Sequence, residues 1–528
     1  MSHREEEKRY EALSPFELKN ELQALAGSAD EALMLNAGRG NPNWVATEPR
    51  RAYAELMQFA LDESERNPIR DGFGGTPQRD GIASRLRAHL EADGAQGAAL
   101  LGRSLDWVGS TLGIDADDFV VELCDAILGD HYPVPVRMLT QCEKVVDAYL
   151  ALVLAGGSWP TGNFELFATE GGTAAMTYVF NSLAENRLLH KGDKIALGTP
   201  IFTPYLEIPE LNDYELVILE VEQSESDDWR YSADELEKLA DPDVKAFFVV
   251  NPSNPASRAM HADTLAAIGE LVQDRRGDLI LLTDDVYGTF VDDFRSLAAA
   301  APHNTVLVYS WSKFFGATGW RLGAIGLHED NVLDRLLADL PRSDRDELAQ
   351  RYSTVFLDPA AARMIDRLTA DSRTVALNHT AGLSTPQQVM MTLFSLHALT
   401  EGGRNYQQQA QAIVRARIDK LYAAMGVEHS TSQWDTSYYT IIDVPQLAED
   451  RHGAGFREWL TTAHEPIDFV WRLAQEREVV LMDGGGFEAP DMSVRVSLAN
   501  LRSEDYVRIG EAISGLLEDY HSEYEGDR

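Results

Sequence analysis

Lys313 carries the clearest signature of chemistry in the chain. It ends Ser310-Trp311-Ser312-Lys313, directly after the apolar run Val306-Leu307-Val308-Tyr309, which predicts a buried parallel strand. The lysine therefore stands just past a strand's carboxyl end, where open α/β sheets bind ligands. A lysine in a dry pocket sheds its proton and attacks carbonyl groups. Hydroxyls at Ser310 and Ser312 and the guanidinium of Arg321 could hold an anion beside it. An amine for an aldehyde and a cup for a phosphate are the parts that a pyridoxal phosphate (PLP) site needs. Taken alone, the stretch equally describes a strand-to-loop turn with a solvated lysine.

Other loops supply matching parts. Thr169-Glu170-Gly171-Gly172-Thr173 puts glycines between a strand and a helix, so free N–H groups and the helix dipole form an anion cup. Val250-Asn251-Pro252-Ser253-Asn254-Pro255 and Thr283-Asp284-Asp285-Val286-Tyr287 follow two further strands. An isolated aspartate at such a place usually caps the next turn. Here Asp284 could keep a pyridine nitrogen protonated while Asn254 and Tyr287 hydrogen-bond a phenolic oxygen. Arg39 lies between Gly38 and Gly40, open to close approach by a ligand, and Tyr132 lies in a Gly/Pro-rich break at 129–135.

These residues need a sheet to align them. Short apolar runs at 164–168, 195–198, 216–221, 246–250, 279–283, 305–310 and 322–327 alternate with helical patterns, which predicts a mainly parallel sheet with helical crossovers. A capping Ser14 followed by Pro15 opens a helix over 14–26, and 105–128 is also helical. Residues 67–96 read as loop plus one exposed helix. After 385 helices dominate, with strands at 438–444, 479–482 and 494–497 completing a smaller α+β unit, and the acidic tail from Glu518 reads as solvated.

Composition narrows the class. With 528 residues and 44% hydrophobic residues, the chain can bury a large core spread over more than one domain. A formal net charge of -39 repels nucleic acid and anionic membranes, so small anions must be drawn in by local cations. Cys124 and Cys142 make no disulfide framework or metal cluster, so no metal is expected and a reducing compartment fits. The first residues lack a signal-peptide core and no apolar run spans a bilayer, so the expected location is the cytoplasm.

With Asn254-Pro255, Asp284-Asp285-Val286-Tyr287 and Ser310-Trp311-Ser312-Lys313…Arg321 in that order, the chain resembles the fold-type I PLP enzymes of the aspartate aminotransferase family. Within them it is similar over nearly its whole length to the L-aspartate 4-decarboxylases. That likeness runs through Leu35-Asn36-Ala37-Gly38-Arg39-Gly40-Asn41-Pro42-Asn43, Phe315-Gly316-Ala317-Thr318-Gly319-Trp320-Arg321 and the stretch at 376–386. The resemblance implies an α/β fold with a large PLP domain over 130–390. The small domain is implied to come from the N-terminal arm at 1–129 and from 391–528.

Site roles follow from the same resemblance. Lys313 would carry the cofactor, Asp284 would meet the ring nitrogen, and Asn254 and Tyr287 the phenolic oxygen. Gly171, Gly172, Thr173, Ser310, Ser312 and Arg321 would hold the phosphate, and Phe202 would stack on the ring. Tyr132 would reach the phosphate of a neighbouring subunit's cofactor. Arg495 would grip the substrate α-carboxylate, with Arg39, Thr380 and Arg373 near the β-carboxylate, and Lys19 joins the catalytic set.

The implied reaction turns L-aspartate into L-alanine and CO2, with transamination of aspartate and a 2-oxo acid as a side activity. A plain aminotransferase is the alternative. A PLP-binding transcriptional regulator is a third, but the acidic N-terminal region offers no basic DNA-binding module. Family likeness also implies a homodimer at least, with dodecamers built from dimers.

Overall fold

The computed structural model describes residues 8–10, 13–26, 34–93, 97–211, 214–373, 381–400, 403–429 and 431–528. Its strands, in chain order, are β1 (Leu35–Asn36), β2 (Phe164–Thr169), β3 (Lys194–Thr199), β4 (Val217–Ser224), β5 (Arg230–Tyr231), β6 (Val244–Val250), β7 (Ile280–Asp284), β8 (Thr305–Ser310), β9 (Gly323–His328), β10 (Tyr439–Asp443), β11 (Val479–Val480), β12 (Met482–Asp483) and β13 (Ser493–Ser497).

Eight of them form one sheet in the order β2-β9-β8-β7-β6-β3-β4-β5. β4, β3, β6, β7 and β8 run parallel, while β9 lies antiparallel between β8 and β2. The expected mainly parallel sheet is thus present, with each forecast strand within a few residues of its place. The short antiparallel β5 at the edge went unforeseen. β6 to β8 read as unbroken apolar runs because helices cover both sheet faces and bury successive side chains on each.

Register brings the loops of interest to one edge. Thr169 pairs with Gly323 and Gly323 with Ser310, while Asp284 pairs with Val308 and Val250 with Asp284. Residues 171–173, 254, 287 and 313 therefore all leave the sheet on the same side. Gly323 lacks a side chain for a reason: a Cβ there would lie 2.5 Å from the carbonyl carbon of Gly171.

Helices Thr47–Arg66, Ala98–Thr111, Ala116–Leu128, Thr140–Ala155 and Thr385–Leu399 share one apolar cluster with the sheet. The helical reading of 105–128 thus resolves into two helices, broken at 112–115. The helix forecast as exposed within 67–96 is Ile82–Asp93, and Ile82, Leu86 and Leu90 are buried in that cluster. Its anchor is the buried Glu63, which accepts hydrogen bonds from Arg85 Nη2 at 2.7 Å and from Arg66 Nε at 3.0 Å. Arg85 pairs with the buried Glu63, while Arg87 and Glu91 remain exposed, so the helix is half-buried along its apolar face.

A second apolar cluster joins the helix Pro15–Leu25 to β10–β13 and to the C-terminal helix Asp505–Asp527. Ser14 caps the first of these, accepting from the Glu17 N–H at 3.5 Å. The forecast strand at 479–482 divides at Leu481 into β11, parallel to β1, and β12, antiparallel to β13. The tail from Glu518 is largely solvated as expected, with Glu518, Ser522, Glu523 and residues 525–528 exposed, but it continues the last helix, buries Tyr520 and pairs Arg472 with Glu523 and Arg477 with Asp519. Two of its acidic residues, Asp519 and Glu523, thus meet arginines of the neighbouring helix Asp468–Arg477. Among the described residues, no helix is long and apolar enough to cross a membrane.

Candidate active site

Gly172, Thr173, Phe202, Asn254, Asp284, Tyr287, Ser310, Ser312, Lys313 and Arg321 line a single pocket, together with Val250, Val286 and Thr318. The turn after β2 forms its floor. Gly171 has φ +100, a conformation that suits glycine, and a Cβ there would lie 2.4 Å from Arg321 Nη2. Arg321 itself sits at φ 55 and donates to the Thr318 carbonyl at 3.2 Å. Ser310 Oγ donates to Ser312 Oγ at 2.9 Å, so two hydroxyls, a guanidinium and the N-terminus of helix Gly172–Glu185 face one spot. That donor set suits a phosphate dianion.

Lys313 Nζ donates to the Gly40 carbonyl at 3.0 Å. The loop that follows it is pinned from the N-terminal segment. Trp44 Nε1 donates to the Phe314 carbonyl at 3.1 Å, and Arg50 donates to the carbonyls of Phe315 and Gly316 at 3.2 and 2.6 Å. A Cβ on Gly316, at φ +58, would collide with the Trp44 carbonyl at 1.8 Å.

At the pocket's far wall Asp284 accepts from Tyr205 Oη at 2.9 Å and from the Val286 N–H at 3.2 Å. Burial pushes its carboxyl up to about 6, against the pull of Tyr205, Val286 and Lys313. Its neighbour Asp285, fully buried and hydrogen-bonded by Ser296 and Thr283, is pushed up to about 8. An acid so placed would regain its negative charge beside a protonated ring nitrogen.

A chain of polar contacts links the opposite wall. Arg495, 2% exposed, donates to Asn254 Oδ1 at 3.1 Å and to the Gly38 carbonyl at 2.9 Å. Asn254 Nδ2 donates to Tyr287 Oη at 3.5 Å, and Tyr287 donates to Tyr439 Oη at 3.1 Å. The Arg495 guanidinium lies over the ring of Tyr439 at 4.3 Å and over Phe487 at 4.7 Å. Its Nε is buried without a hydrogen-bond partner, as in a grip awaiting an anion.

Lys19 and Arg39 complete a cationic corner. Burial lowers the Lys19 amine, and the nearby charges of Arg39 and Arg495 lower it further, with Glu17 opposing. Arg39 is exposed and donates to Gln23 Oε1 at 3.3 Å. Among the described residues none of the three cations forms an ion pair. In a chain of net charge -39, that corner attracts dianions.

Two expected residues lie elsewhere. Arg373 lines a separate cleft with Arg137, Phe356 and Asp366, and Tyr132, 65% exposed, lines another with residues 381–387. The Tyr132 cleft abuts the anion cup from outside: the Gly382 N–H donates to Glu170 Oε1 at 2.8 Å and Gln387 Nε2 to the Trp320 carbonyl at 2.7 Å. Thr380 lies outside the described residues.

Conversely, Tyr205 and Tyr439 are site components that the motifs did not mark. The doublet Tyr438-Tyr439 at the head of a buried strand was the available signal, since tyrosines sealed in a core need polar partners.

The donor cup, the amine, the buried acid and the Asn254–Tyr287 pair together match the groups of PLP in kind. Comparison with known proteins agrees. Residues 168–513 match the family "Aminotransferase class I and II". The chain is 47% identical over 515 residues, 97% of each protein, to a bifunctional aspartate aminotransferase and L-aspartate beta-decarboxylase of a Pseudomonas species. It is 31% identical over 142 residues, 26% of this chain and 36% of the other, to an aspartate aminotransferase of Pyrococcus abyssi. In fold it is similar to an aspartate aminotransferase from Thermus thermophilus solved with maleate, at TM-score 0.56 and 18% identity, covering 94% of this chain and 96% of that one.

Proposed function

The chain belongs to the class I and II aminotransferase family, whose enzymes depend on PLP, and from that premise we propose its reaction. It removes the β-carboxylate of L-aspartate to give L-alanine and CO2, and it transaminates aspartate with a 2-oxo acid as a second outcome at the same site. When bound, PLP supplies an aldehyde that condenses with amines and a ring that accepts an electron pair.

The chain's own residues then have these parts. Lys313 Nζ holds the cofactor and, once released, moves the proton of the substrate's α-carbon. Asp284 faces the ring nitrogen, while Asn254 and Tyr287 donate to the phenolic oxygen. Gly171, Gly172, Thr173, Ser310, Ser312 and Arg321 hold the phosphate, and Phe202 covers the ring. Arg495 takes the α-carboxylate as a planar bidentate partner.

The corner of Lys19, Arg39 and Arg495, reached from Lys313 through Gly40 and Tyr439, is the observation that carries the reading, because it can receive a substrate with two carboxylates. The β-carboxylate meets the exposed Arg39 and the half-buried Lys19. A loosely held carboxylate loses CO2 more readily than one locked in a buried ion pair, whose ground state would be stabilised.

Incubation of the loaded protein with aspartate and no 2-oxo acid tests this. Sustained alanine and CO2 in equal amounts are expected, whereas one turnover followed by arrest would mark a plain aminotransferase.

Tyr132 belongs to the same proposal as a contribution across a subunit contact and Arg373 as a residue near the β-carboxylate, with a homodimer as the smallest working unit and a dodecamer built from such dimers as the full assembly. For the proposed small domain of N- and C-terminal parts, the separate apolar cluster that unites the first helix with the last supports membership of residues 15–37, whereas the helices between Thr47 and Leu128 pack with the large sheet. Free, buried Cys124 and Cys142 favour a cytoplasmic home.

A further inference from the structure

Decarboxylation of aspartate consumes a proton. The Cβ–Cγ bond breaks, its electron pair stays on the β-carbon, CO2 leaves, and a proton must come back to that carbon. Transamination makes no such demand on the β-carbon. A site that favours decarboxylation therefore needs an acid placed for that one step, beside the Lys313 amine that serves the α-carbon.

Tyr439 stands there. A Cβ built on Gly40 would meet its hydroxyl at 2.2 Å and Lys313 Nζ at 3.1 Å, so phenol and amine flank the same small space. The hydroxyl accepts from Tyr287 at 3.1 Å, and Arg495 lies over the ring at 4.3 Å. With the α-carboxylate on Arg495 and the α-carbon at Lys313, the β-carbon is one bond away from the atoms this phenol faces.

Resting on the decarboxylase reading above, we infer that Tyr439 is a further catalytic residue: its O–H gives the proton that forms the new C–H bond at the β-carbon. The phenolate left behind is held by Lys313 and Arg495 and regains a proton from water before the next turnover. Charges around it favour this. Burial alone would raise the phenol, but Lys313, Arg495 and the hydrogen bonds of Tyr287 and Lys313 outweigh burial and leave it below the ordinary tyrosine range. Its neighbours Tyr287 and Tyr438, equally buried, are pushed well above that range. Among the described residues, Lys313, Arg495, Tyr287 and Tyr438 are the titratable groups around it.

Tyr439→Phe keeps the ring under Arg495 and removes the acid. The alanine-to-oxaloacetate ratio, measured with aspartate and 2-oxoglutarate, should fall by about a hundredfold, the usual worth of a general acid. Tyr438→Phe is the matched control, because its hydroxyl donates to the Gly40 carbonyl at 2.9 Å on the same loop; it should leave the ratio as it was. A second readout needs no cofactor. Phenolate absorbance of the ligand-free protein should show a tyrosine ionising below about 10, a step that Tyr439→Phe abolishes.

An unchanged ratio in Tyr439→Phe, an equal fall in Tyr438→Phe, or a ligand-free protein with no early-ionising tyrosine overturns the inference. A wild type that makes alanine while Tyr439→Phe keeps its ratio sinks this inference alone. A wild type that makes no alanine sinks the decarboxylase reading, and this inference with it.

Discussion

Asp284 and its partner Tyr205 show how a single buried residue serves binding at the expense of stability. In the ligand-free fold the carboxyl is raised to about 6 by burial, from 3.8. The folded state thus binds this proton more tightly than the unfolded one, so stability falls as pH rises from about 4 to about 6 and the loss is complete above that. Asp284→Asn removes the buried charge while Tyr205 can still donate to the amide oxygen. Melting of the ligand-free variant should match wild type near pH 4, exceed it increasingly up to pH 6, and hold that margin beyond. Cofactor affinity of the same variant should drop, since a neutral amide cannot pair with a protonated ring nitrogen. A uniform offset at every pH would show that the carboxyl does not titrate in this way.

At the scale of elements, the anion cup depends on β2 and β9 lying side by side. Gly323 admits the turn, Gly171 bends it at φ +100, and Arg321 fills the space where a side chain on Gly171 would be. Gly171→Ala would strain the backbone by about 1–3 kcal/mol and displace the guanidinium as well. Cofactor binding should weaken by about tenfold or more, as read by equilibrium dialysis, while far-ultraviolet circular dichroism stays native. The N-terminal segment is the second positioning element. β1 is locked beside β11 and holds Gly40 against Lys313 and Gly38 against Arg495, and Trp44 and Arg50 clamp the loop beyond Lys313. Residues hundreds of positions apart thus act as one rigid frame. Substrate grip and cofactor amine are fixed relative to each other through the backbone of the N-terminal segment, whose carbonyls at Gly38 and Gly40 accept from Arg495 and Lys313.

For the whole molecule, the placing of Tyr132 decides how chains must cooperate. It lies in a cleft outside its own Lys313 pocket but against the loop that braces the anion cup. If it serves a neighbour's cofactor, two defective chains can complement each other. Mixed oligomers of Lys313→Ala with Tyr132→Ala chains should regain activity that neither homogeneous variant has, because one site in each pair would then be intact. Activity of the mixture no higher than the sum of the two would refute shared sites.

Local signals sufficed where covalent neighbours do the work. Apolar runs of four residues or more, glycines at strand ends and the Ser-x-Ser-Lys spacing marked the sheet, the cup and the amine, since strand burial and turn conformation depend on adjacent residues. Tertiary structure alone decided the rest. It joined Lys19, Arg39 and Arg495 into one cationic corner, set Tyr439 beside Lys313, docked the acidic last helix on arginines, and sent Arg373 and Tyr132 to other clefts. Those outcomes turn on which distant elements pack together, and the free energy of such packing comes from buried surfaces and charges that no single stretch of chain contains.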